Sequence, residues 1–144
     1  MLKRVLATGT FDILHPGHVF FLSSARALGD ELYVLVARDS MIRHKAKPIV
    51  PEIQRLEMIS SLKVVDKAML GSEKDIFDPL YEIDPDIIVL GHDQTFDIEE
   101  LQKSLEEKGF KAKVTRIDES LKCPLYSSGR IVNKILERYC ESQD

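Results

Sequence analysis

The sequence predicts an α/β fold in which a parallel sheet carries helices on both faces. Five short runs of β-branched and aliphatic residues recur along the 144-residue chain, and longer amphipathic stretches separate them. Strands that alternate with helices of this length are typical of β-α-β units, whose strands pair in parallel. The run Ile87-Ile88-Val89-Leu90 is entirely apolar, as expected of a strand covered on both faces. We therefore expect one domain over residues 1–144.

The five apolar runs predict the strands. They are Arg4–Ala7, Leu32–Ala37, Lys67–Leu70, Ile87–Leu90 and Ala112–Ile117. Ligands bind open parallel sheets beyond the carboxyl ends of the strands. Residues that directly follow these runs are therefore the first candidates for a functional site.

Amphipathic stretches between the strands predict five helices. They are Gly17–Leu28, Pro51–Leu62, Asp75–Ile83, Asp97–Lys108 and Ser127–Cys140. The fourth helix has signals at both ends, because Asp97 is a favourable N-cap and Gly109 a favourable terminator.

Three of these helices have apolar residues at helical spacing, which should pack on the sheet. In the first helix they share a face with Ser24 and are Phe20, Phe21 and Leu28. In the second helix they are Ile53, Leu56 and either Met58 or Ile59. In the last helix the residues expected to face inward are Ile131, Val132, Ile135, Leu136 and Tyr139.

The composition argues against several classes of protein. The formal net charge is −4, whereas proteins that bind duplex DNA or RNA usually carry a basic excess, so we expect no nucleic-acid partner. We also expect a cytoplasmic protein without a membrane partner, because no apolar stretch could span a bilayer and no signal-peptide pattern is present. Cys123 and Cys140 are expected to be free thiols, since two cysteines make no disulfide framework.

The segment after the first strand, residues 9–18, carries the most informative side chains. Its sequence is Gly-Thr-Phe-Asp-Ile-Leu-His-Pro-Gly-His. Gly9 would let the backbone approach a ligand closely, and Thr10 offers a hydroxyl and an amide. Gly17 or His18 should open the next helix, where free amides and the helix dipole favour phosphate. The imidazoles of His15 and His18 can converge on one phosphate, either as hydrogen-bond donors or as cations.

An isolated His-x-Gly-His pattern is also found in loops, where a histidine merely caps a helix. Here the strand, turn and helix around it favour phosphate binding. The chain has neither a Walker A pattern nor Gly-x-Gly-x-x-Gly, so P-loop kinase chemistry and ordinary dinucleotide binding are poorly supported.

Residues 9–18 resemble the signature of the cytidylyltransferase-like nucleotidyltransferases. Members of this family join a nucleoside monophosphate to a phosphorylated acceptor and release pyrophosphate, with a divalent cation such as Mg²⁺. The resemblance implies a Rossmann-like, doubly wound, five-stranded parallel sheet with helices on both faces. It implies catalytic roles for His15 and His18 at the α-phosphate. It also implies that these two histidines and four further residues of the segment bind the nucleotide, namely Gly9, Thr10, Phe11 and Gly17.

Further residues match the family outside the nucleotide-binding part of this segment. Lys45 or Lys47 would contact phosphates, and the sequence does not decide between the two. Asp93 in Gly91-His92-Asp93-Gln94 would contact the nucleotide. Tyr126, Ser127 and Ser128 resemble a family segment that meets the triphosphate at a helix start, although Tyr126 replaces an aliphatic residue. Asp12 and Arg55 would lie near the acceptor, and for Arg55 an ordinary place on a helix surface is the alternative. No side chain is assigned as a metal ligand.

Within the family the combination of His-Pro-Gly-His, Gly-x-Asp-Gln and a tail containing Cys123 and Cys140 is most similar to archaeal FAD synthases. This similarity implies ATP and FMN as substrates and, as in many family members, a homodimer. Two alternatives stay open. One is a glycerol-3-phosphate cytidylyltransferase, which would use CTP, or a sugar-phosphate nucleotidyltransferase of cell-envelope synthesis. The other is a catalytically silent, nucleotide-binding regulatory module, which the presence of both histidines disfavours.

Overall fold

A computed structural model describes residues 2–43, 46–91 and 97–140 of the chain. Five strands in these ranges form one parallel sheet. They are β1 (Arg4–Gly9), β2 (Glu31–Val36), β3 (Lys67–Leu70), β4 (Ile87–Gly91) and β5 (Lys113–Ile117). All five predicted strands are confirmed, and their observed ends differ from the predicted ones by two residues or fewer.

The predicted helices are also present, each shorter than its apolar pattern suggested. They are α1 (Pro16–Arg26), α2 (Glu52–Ser60), α3 (Asp78–Ile83), α4 (Ile98–Glu107) and α5 (Ser128–Tyr139). The signals predicted for α4 are confirmed. The Asp97 carboxylate accepts hydrogen bonds from the amides of Glu99 and Glu100, and Gly109 follows the helix with a φ of +85°.

The order of the strands in the sheet is β3-β2-β1-β4-β5. The chain moves outward from the central strand β1 to β3 and then returns to the other side of β1 to form β4. The switch point therefore lies between the carboxyl ends of β1 and β4, which pair directly. Open α/β sheets bind ligands in this crevice.

Helices cover both faces of the sheet, as predicted. Val5 and Ala7 of β1 belong to one buried cluster and Leu6 belongs to the other, because successive side chains of a strand point to opposite faces. Helices α1 and α2 complete the first cluster with Leu22, Ala25 and Ile59. Helices α3 and α4 complete the second with Leu80, Ile83 and Leu105.

The predicted inward faces of α1 and α2 are confirmed in part, since Phe21, Leu56 and Ile59 pack in the first cluster. In α1 the fully buried residues are Leu22 and Ala25, while Leu28 lies beyond the helix and is 42% exposed. In α2 the predicted Ile53 is exposed, and of the alternatives Met58 and Ile59 it is Ile59 that is buried, together with Arg55.

The prediction that the apolar face of α5 points inward is wrong for the second half of the helix. Helix α5 has no buried residue, and Ile135, Leu136 and Tyr139 are 49%, 48% and 61% exposed, whereas Ile131 and Val132 are half-buried. The polar side of the helix borders the preceding segment at Pro124 and Leu125. Among the described residues, no helix is long and apolar enough to cross a membrane.

Candidate nucleotide site

The first part of the candidate site is the turn that follows β1. Phe11 has a φ of +55°, a left-handed conformation that is uncommon for a residue with a large side chain, and its ring is buried. A Cβ atom at Gly9 would lie 2.7 Å from Cζ of Phe11. Gly9 thus makes room for the Phe11 ring, which differs from the expectation that it lets the backbone approach a ligand. The ring in turn meets His18 edge-on, with 5.6 Å between the ring centroids.

His15 and His18 are held together at the start of α1. His15 is the N-cap, and its Nδ1 accepts a hydrogen bond of 3.0 Å from the amide of Gly17. Nδ1 of His18 accepts a hydrogen bond of 3.3 Å from the amide of His15. The two ring centroids are 3.8 Å apart. The two imidazoles thus lie together, as contact with one phosphate would require.

This arrangement decides between the two forms left open for the histidines. A neutral imidazole that accepts at Nδ1 carries its proton at Nε2, so both rings share one tautomer. Protonation of Nδ1 would place a donor against the amide donor of Gly17 or His15. Partial burial also lowers the pKa of His15 below its ordinary value. The structure therefore favours neutral imidazoles that act as hydrogen-bond donors.

Gly17 ties the histidine pair to the segment before α5. A Cβ atom at Gly17 would lie 2.7 Å from Cε1 of His15 and 3.1 Å from the carbonyl oxygen of Tyr126. No side chain fits at this position without moving one of these groups. The close approach therefore requires glycine at position 17.

The start of α5 lies beside the start of α1. The Ser128 hydroxyl donates a hydrogen bond of 3.0 Å to the carbonyl oxygen of Ile13, and Ser127 caps α5 by accepting from the amide of Arg130. The Arg130 guanidinium stacks on the Tyr126 ring at 4.3 Å. Two helix N-termini thus meet at one place, and each contributes a partial positive charge that attracts an anion.

Arg55 occupies a place that neither sequence-based interpretation expected. Its side chain is 1% exposed, so it is not a surface arginine, and it donates four hydrogen bonds within the protein. The acceptors are the carbonyl oxygens of Val50, Thr10 and Ala37 and the carboxylate of Asp39, at 2.7–2.9 Å. In this structure its guanidinium is not presented to an acceptor substrate. The signal in the sequence was its spacing of four residues from Ile59, which places both side chains on the buried face of α2.

Asp12 is likewise engaged with the protein. Its two carboxylate oxygens accept hydrogen bonds from the amides of Ile49 and Val50, at 3.0 and 2.9 Å. Lys47 lies in the same stretch and donates from Nζ to the carbonyl oxygen of Asp39 at 3.1 Å. Asp39 was not predicted from the sequence, although it follows β2 at the edge of the sheet where ligands bind.

Two of the predicted site residues fall outside the described ranges, namely Lys45 and Asp93. Gly91, which precedes Asp93 by two residues, is the last residue of β4 and is buried beside the switch point. No group of three or more His, Cys, Asp or Glu side chains that could hold a metal ion occurs among the residues that the structure describes.

Comparisons with known proteins identify the family of this chain and several similar proteins. A family model described as Cytidylyltransferase-like matches residues 6–134. The FAD synthase of Methanococcoides burtonii is 71% identical over 143 residues, which cover 99% of this chain and 100% of that protein. The FAD synthase of Methanosarcina acetivorans is 66% identical over 139 residues, covering 96% and 92%. The crystal structure of the lipopolysaccharide core biosynthesis protein from Thermoplasma volcanium is 50% identical, with a TM-score of 0.79, and covers 83% of this chain and 98% of that chain.

We expect the imidazole of His15 to titrate below 6.5, the ordinary value, because burial disfavours its charged form. Between the lowered pKa and 6.5 the unfolded chain binds more protons than the folded chain, so this group lowers the free energy of unfolding as the pH falls through that window. NMR titration of the histidine ring signals measures the midpoint, and long-range ¹H–¹⁵N correlations report the tautomer. The urea-unfolded chain is the control. A midpoint at or above 6.5, or a proton on Nδ1 at neutral pH, would contradict the assignment.

Proposed function

Because the chain belongs to the cytidylyltransferase-like family, we propose that it transfers AMP from ATP to FMN and releases FAD and pyrophosphate. The family match makes the chain a nucleotidyltransferase. The observation that carries the proposal is the meeting of two helix N-termini at the neutral pair His15 and His18. The names of the two FAD synthases, each at least 66% identical over nearly the whole chain, support ATP and FMN as the substrates.

The proposed reaction is a single in-line displacement at phosphorus. An oxygen of the FMN phosphate attacks the α-phosphorus of ATP, the bond to the β-phosphate oxygen breaks, and pyrophosphate leaves with the electron pair. A phosphate monoester has its second pKa at about 6, so the attacking group is anionic at neutral pH. No residue is therefore needed as a general base.

His15 and His18 have the catalytic role in this proposal. Negative charge builds on the oxygens around the α-phosphorus in the transition state, and donors that are already in place stabilise it. With its Nδ1 engaged in the helix cap, the neutral ring of His15 would donate from Nε2–H to these oxygens, and the neighbouring ring of His18 would face the same phosphate. The partial positive charge of the α1 N-terminus adds to the same site, while the amides of Gly17 and His18 bond to His15 itself.

The remaining phosphates of ATP are assigned to α5 and to the lysines. Ser127 and Ser128 use their hydroxyl groups to cap and anchor α5, so we assign the contact with the triphosphate to the amides of its first turn, next to Tyr126. Lys47 and Lys45 would supply positive charge as point contacts. Gly9, Thr10 and Phe11 would shape the wall of the site below the phosphates, and Asp93 would contact the nucleoside.

A divalent cation, for which we propose Mg²⁺, fits this site as a partner of the phosphates. Mg²⁺ usually keeps several waters and binds substrate phosphates with one or two carboxylates, so it needs no cluster of protein ligands. When bound, it neutralises charge on the leaving pyrophosphate.

A specific observation favours a second candidate function. The relative from Thermoplasma volcanium is described as a lipopolysaccharide core biosynthesis protein, and it is 50% identical to this chain. That description supports a sugar-phosphate nucleotidyltransferase of cell-envelope synthesis, and glycerol-3-phosphate cytidylyltransferase is the neighbouring possibility. These activities would use the same phosphate site with a different acceptor or with CTP. The regulatory module, the cytoplasmic location and the absence of a nucleic-acid partner stay predictions.

We further propose that the chain forms a homodimer through the exposed apolar side of α5, which carries Ile135, Leu136 and Tyr139. A two-fold axis would pack the α5 helices of the two chains against each other, so that each apolar side covers the other.

The acceptor and the nucleotide are identified by a panel of reactions. Purified protein with Mg²⁺ is given ATP or CTP together with FMN, glycerol 3-phosphate or a sugar 1-phosphate, and pyrophosphate and FAD are quantified. We expect turnover with ATP and FMN alone. If turnover occurs only with CTP and glycerol 3-phosphate, or only with a sugar 1-phosphate, that compound is the acceptor and FMN is not. Nucleotide binding without turnover of any acceptor would favour the regulatory module.

His18→Ala should reduce kcat far more than it weakens ATP binding, because its hydrogen bond strengthens as the transition state forms. Removing one such donor costs about a hundredfold or more in kcat. Steady-state kinetics and calorimetric titration with a non-hydrolysable ATP analogue measure the two quantities. Ser60→Ala, at the exposed end of α2, is the control. Equal losses in kcat and affinity would make His18 a ground-state contact only.

Leu136→Glu should convert the homodimer to a monomer, because it places a charge in the middle of the apolar side of α5. Size-exclusion chromatography with light scattering gives the molar mass. Lys134→Glu introduces the same carboxylate on the polar side of the helix and should leave the dimer intact. A wild-type chain that is monomeric at micromolar concentration would disprove this interface.

A further inference from the structure

We propose that Asp12 and Arg55 are positioning residues, which hold the stretch of residues 46–51 against the turn after β1 and thereby place Lys47 at the triphosphate. The role of Lys47 rests on the proposed function, whereas the fastening of the two stretches is a property of the protein alone. This assignment differs from the resemblance, which implied that both side chains lie near the acceptor.

Arg55 joins three parts of the chain with one side chain. Its Nη1 donates to the carbonyl oxygens of Thr10, in the turn after β1, and of Ala37, directly after β2, at 2.7 and 2.8 Å. Its Nε donates to the carbonyl oxygen of Val50 at 2.9 Å. Since the side chain is 1% exposed, these bonds are shielded from water and are stronger than they would be at the surface.

Asp12 makes the second connection, from the opposite direction. Its carboxylate lies on the turn after β1 and accepts from two consecutive amides, those of Ile49 and Val50. Hydrogen bonds to a charged acceptor are roughly twice as strong as those between neutral groups. Val50 is therefore held through its amide by Asp12 and through its carbonyl oxygen by Arg55.

The segment that joins β2 to α2 is also held at Asp39, directly after β2. The Glu52 carboxylate accepts from the amide of Asp39 and from the guanidinium of Arg38, each at 3.1 Å. Asp39 also holds Arg55 through its carboxylate and Lys47 through its carbonyl oxygen. Lys47 thus lies between two fixed points, and its ammonium group is brought to the edge of the sheet where β2 ends.

Electrostatics argue against direct contact of these two side chains with the acceptor. FMN carries an anionic phosphate, which a carboxylate at Asp12 would repel. Arg55 would have to leave its carbonyl and carboxylate partners to reach a substrate, and moving a buried charge away from its partners is unfavourable. Both groups fit the task of holding backbone better than the task of holding FMN.

Limited trypsin digestion and kinetics of Asp12→Ala test the proposal. Asp30→Ala is the matched control, because the Asp30 carboxylate also accepts from a backbone amide, that of Lys3, but at the opposite edge of the sheet. For Asp12→Ala we expect cleavage after the exposed residue Arg43 to accelerate at least about tenfold, as the loss of two charge-assisted hydrogen bonds implies. Asp30→Ala should be cleaved at the wild-type rate. Arg55→Lys keeps the positive charge but lacks the several N–H donors of the guanidinium group, so it should also accelerate cleavage. If the Arg55→Lys variant does not fold, the result for Asp12→Ala alone tests the proposal.

The kinetic measurement separates the positioning role from a role in acceptor binding. We expect Asp12→Ala to raise KM for ATP several-fold and to leave KM for FMN near the wild-type value. An unchanged cleavage rate, or a rise in KM for FMN alone, would overturn the proposal. The digestion does not depend on turnover. A wild-type protein that makes no FAD would refute the proposed function, and the digestion would still test whether Asp12 and Arg55 hold residues 46–51 against the turn after β1.

Discussion

The buried guanidinium of Arg55 is the constraint on which the geometry of the candidate site depends. Placing a charged group in the protein interior costs several kcal/mol in lost hydration, and only well-directed partners offset it. Here the partners are the Asp39 carboxylate and carbonyl oxygens from the turn after β1, the end of β2 and the approach to α2. Each of these backbone stretches is consequently held at a fixed distance from the others.

The position of Arg55 also links the site to the hydrophobic core. Ile59 lies one helical turn further along α2 and is packed in the same cluster as Val5 and Ala7 of β1. The packing of α2 on the sheet therefore determines where the guanidinium lies, and the guanidinium determines where Thr10 and Val50 lie. The packing of α2 in the core thereby contributes to the position of the loop that contains Val50.

The histidine pair shows a second constraint, which follows from helix capping. Each Nδ1 accepts from a backbone amide, and this is possible only while that nitrogen is unprotonated. Protonated imidazoles would attract phosphate more strongly, but a proton at Nδ1 would remove the hydrogen bond that positions each ring. The structure leaves the imidazoles neutral and oriented, so under the proposed function the positive charge would come from lysines, helix dipoles and a divalent cation.

The sequence predicted the sheet well because each strand is an apolar run with few alternatives. It predicted the caps of α4 for a similar reason, since Asp97 and Gly109 act through local backbone geometry. Only the family resemblance related the start of α5 to that of α1, because a segment of ten residues separates β5 from α5. Local pattern could not show that the space at Gly9 belongs to the Phe11 ring or that Arg55 is buried, since both depend on contacts distant in the chain.

The sequence pattern predicted a buried apolar face for α5, which the structure does not show. The exposure of this helix bears on both dimer formation and nucleotide binding. Helices of about 12 residues are marginal on their own, and α5 has no buried residue to stabilise it. What holds its first turn is the Ser127 cap and the bond from Ser128 to Ile13, beside the histidines. An anion bound at that turn would stabilise the helix as well as itself, because binding to the folded form alone shifts the equilibrium toward it. A second chain packed on the apolar side of α5 would also stabilise this helix. Nucleotide binding and dimer formation would then favour each other, because both stabilise α5.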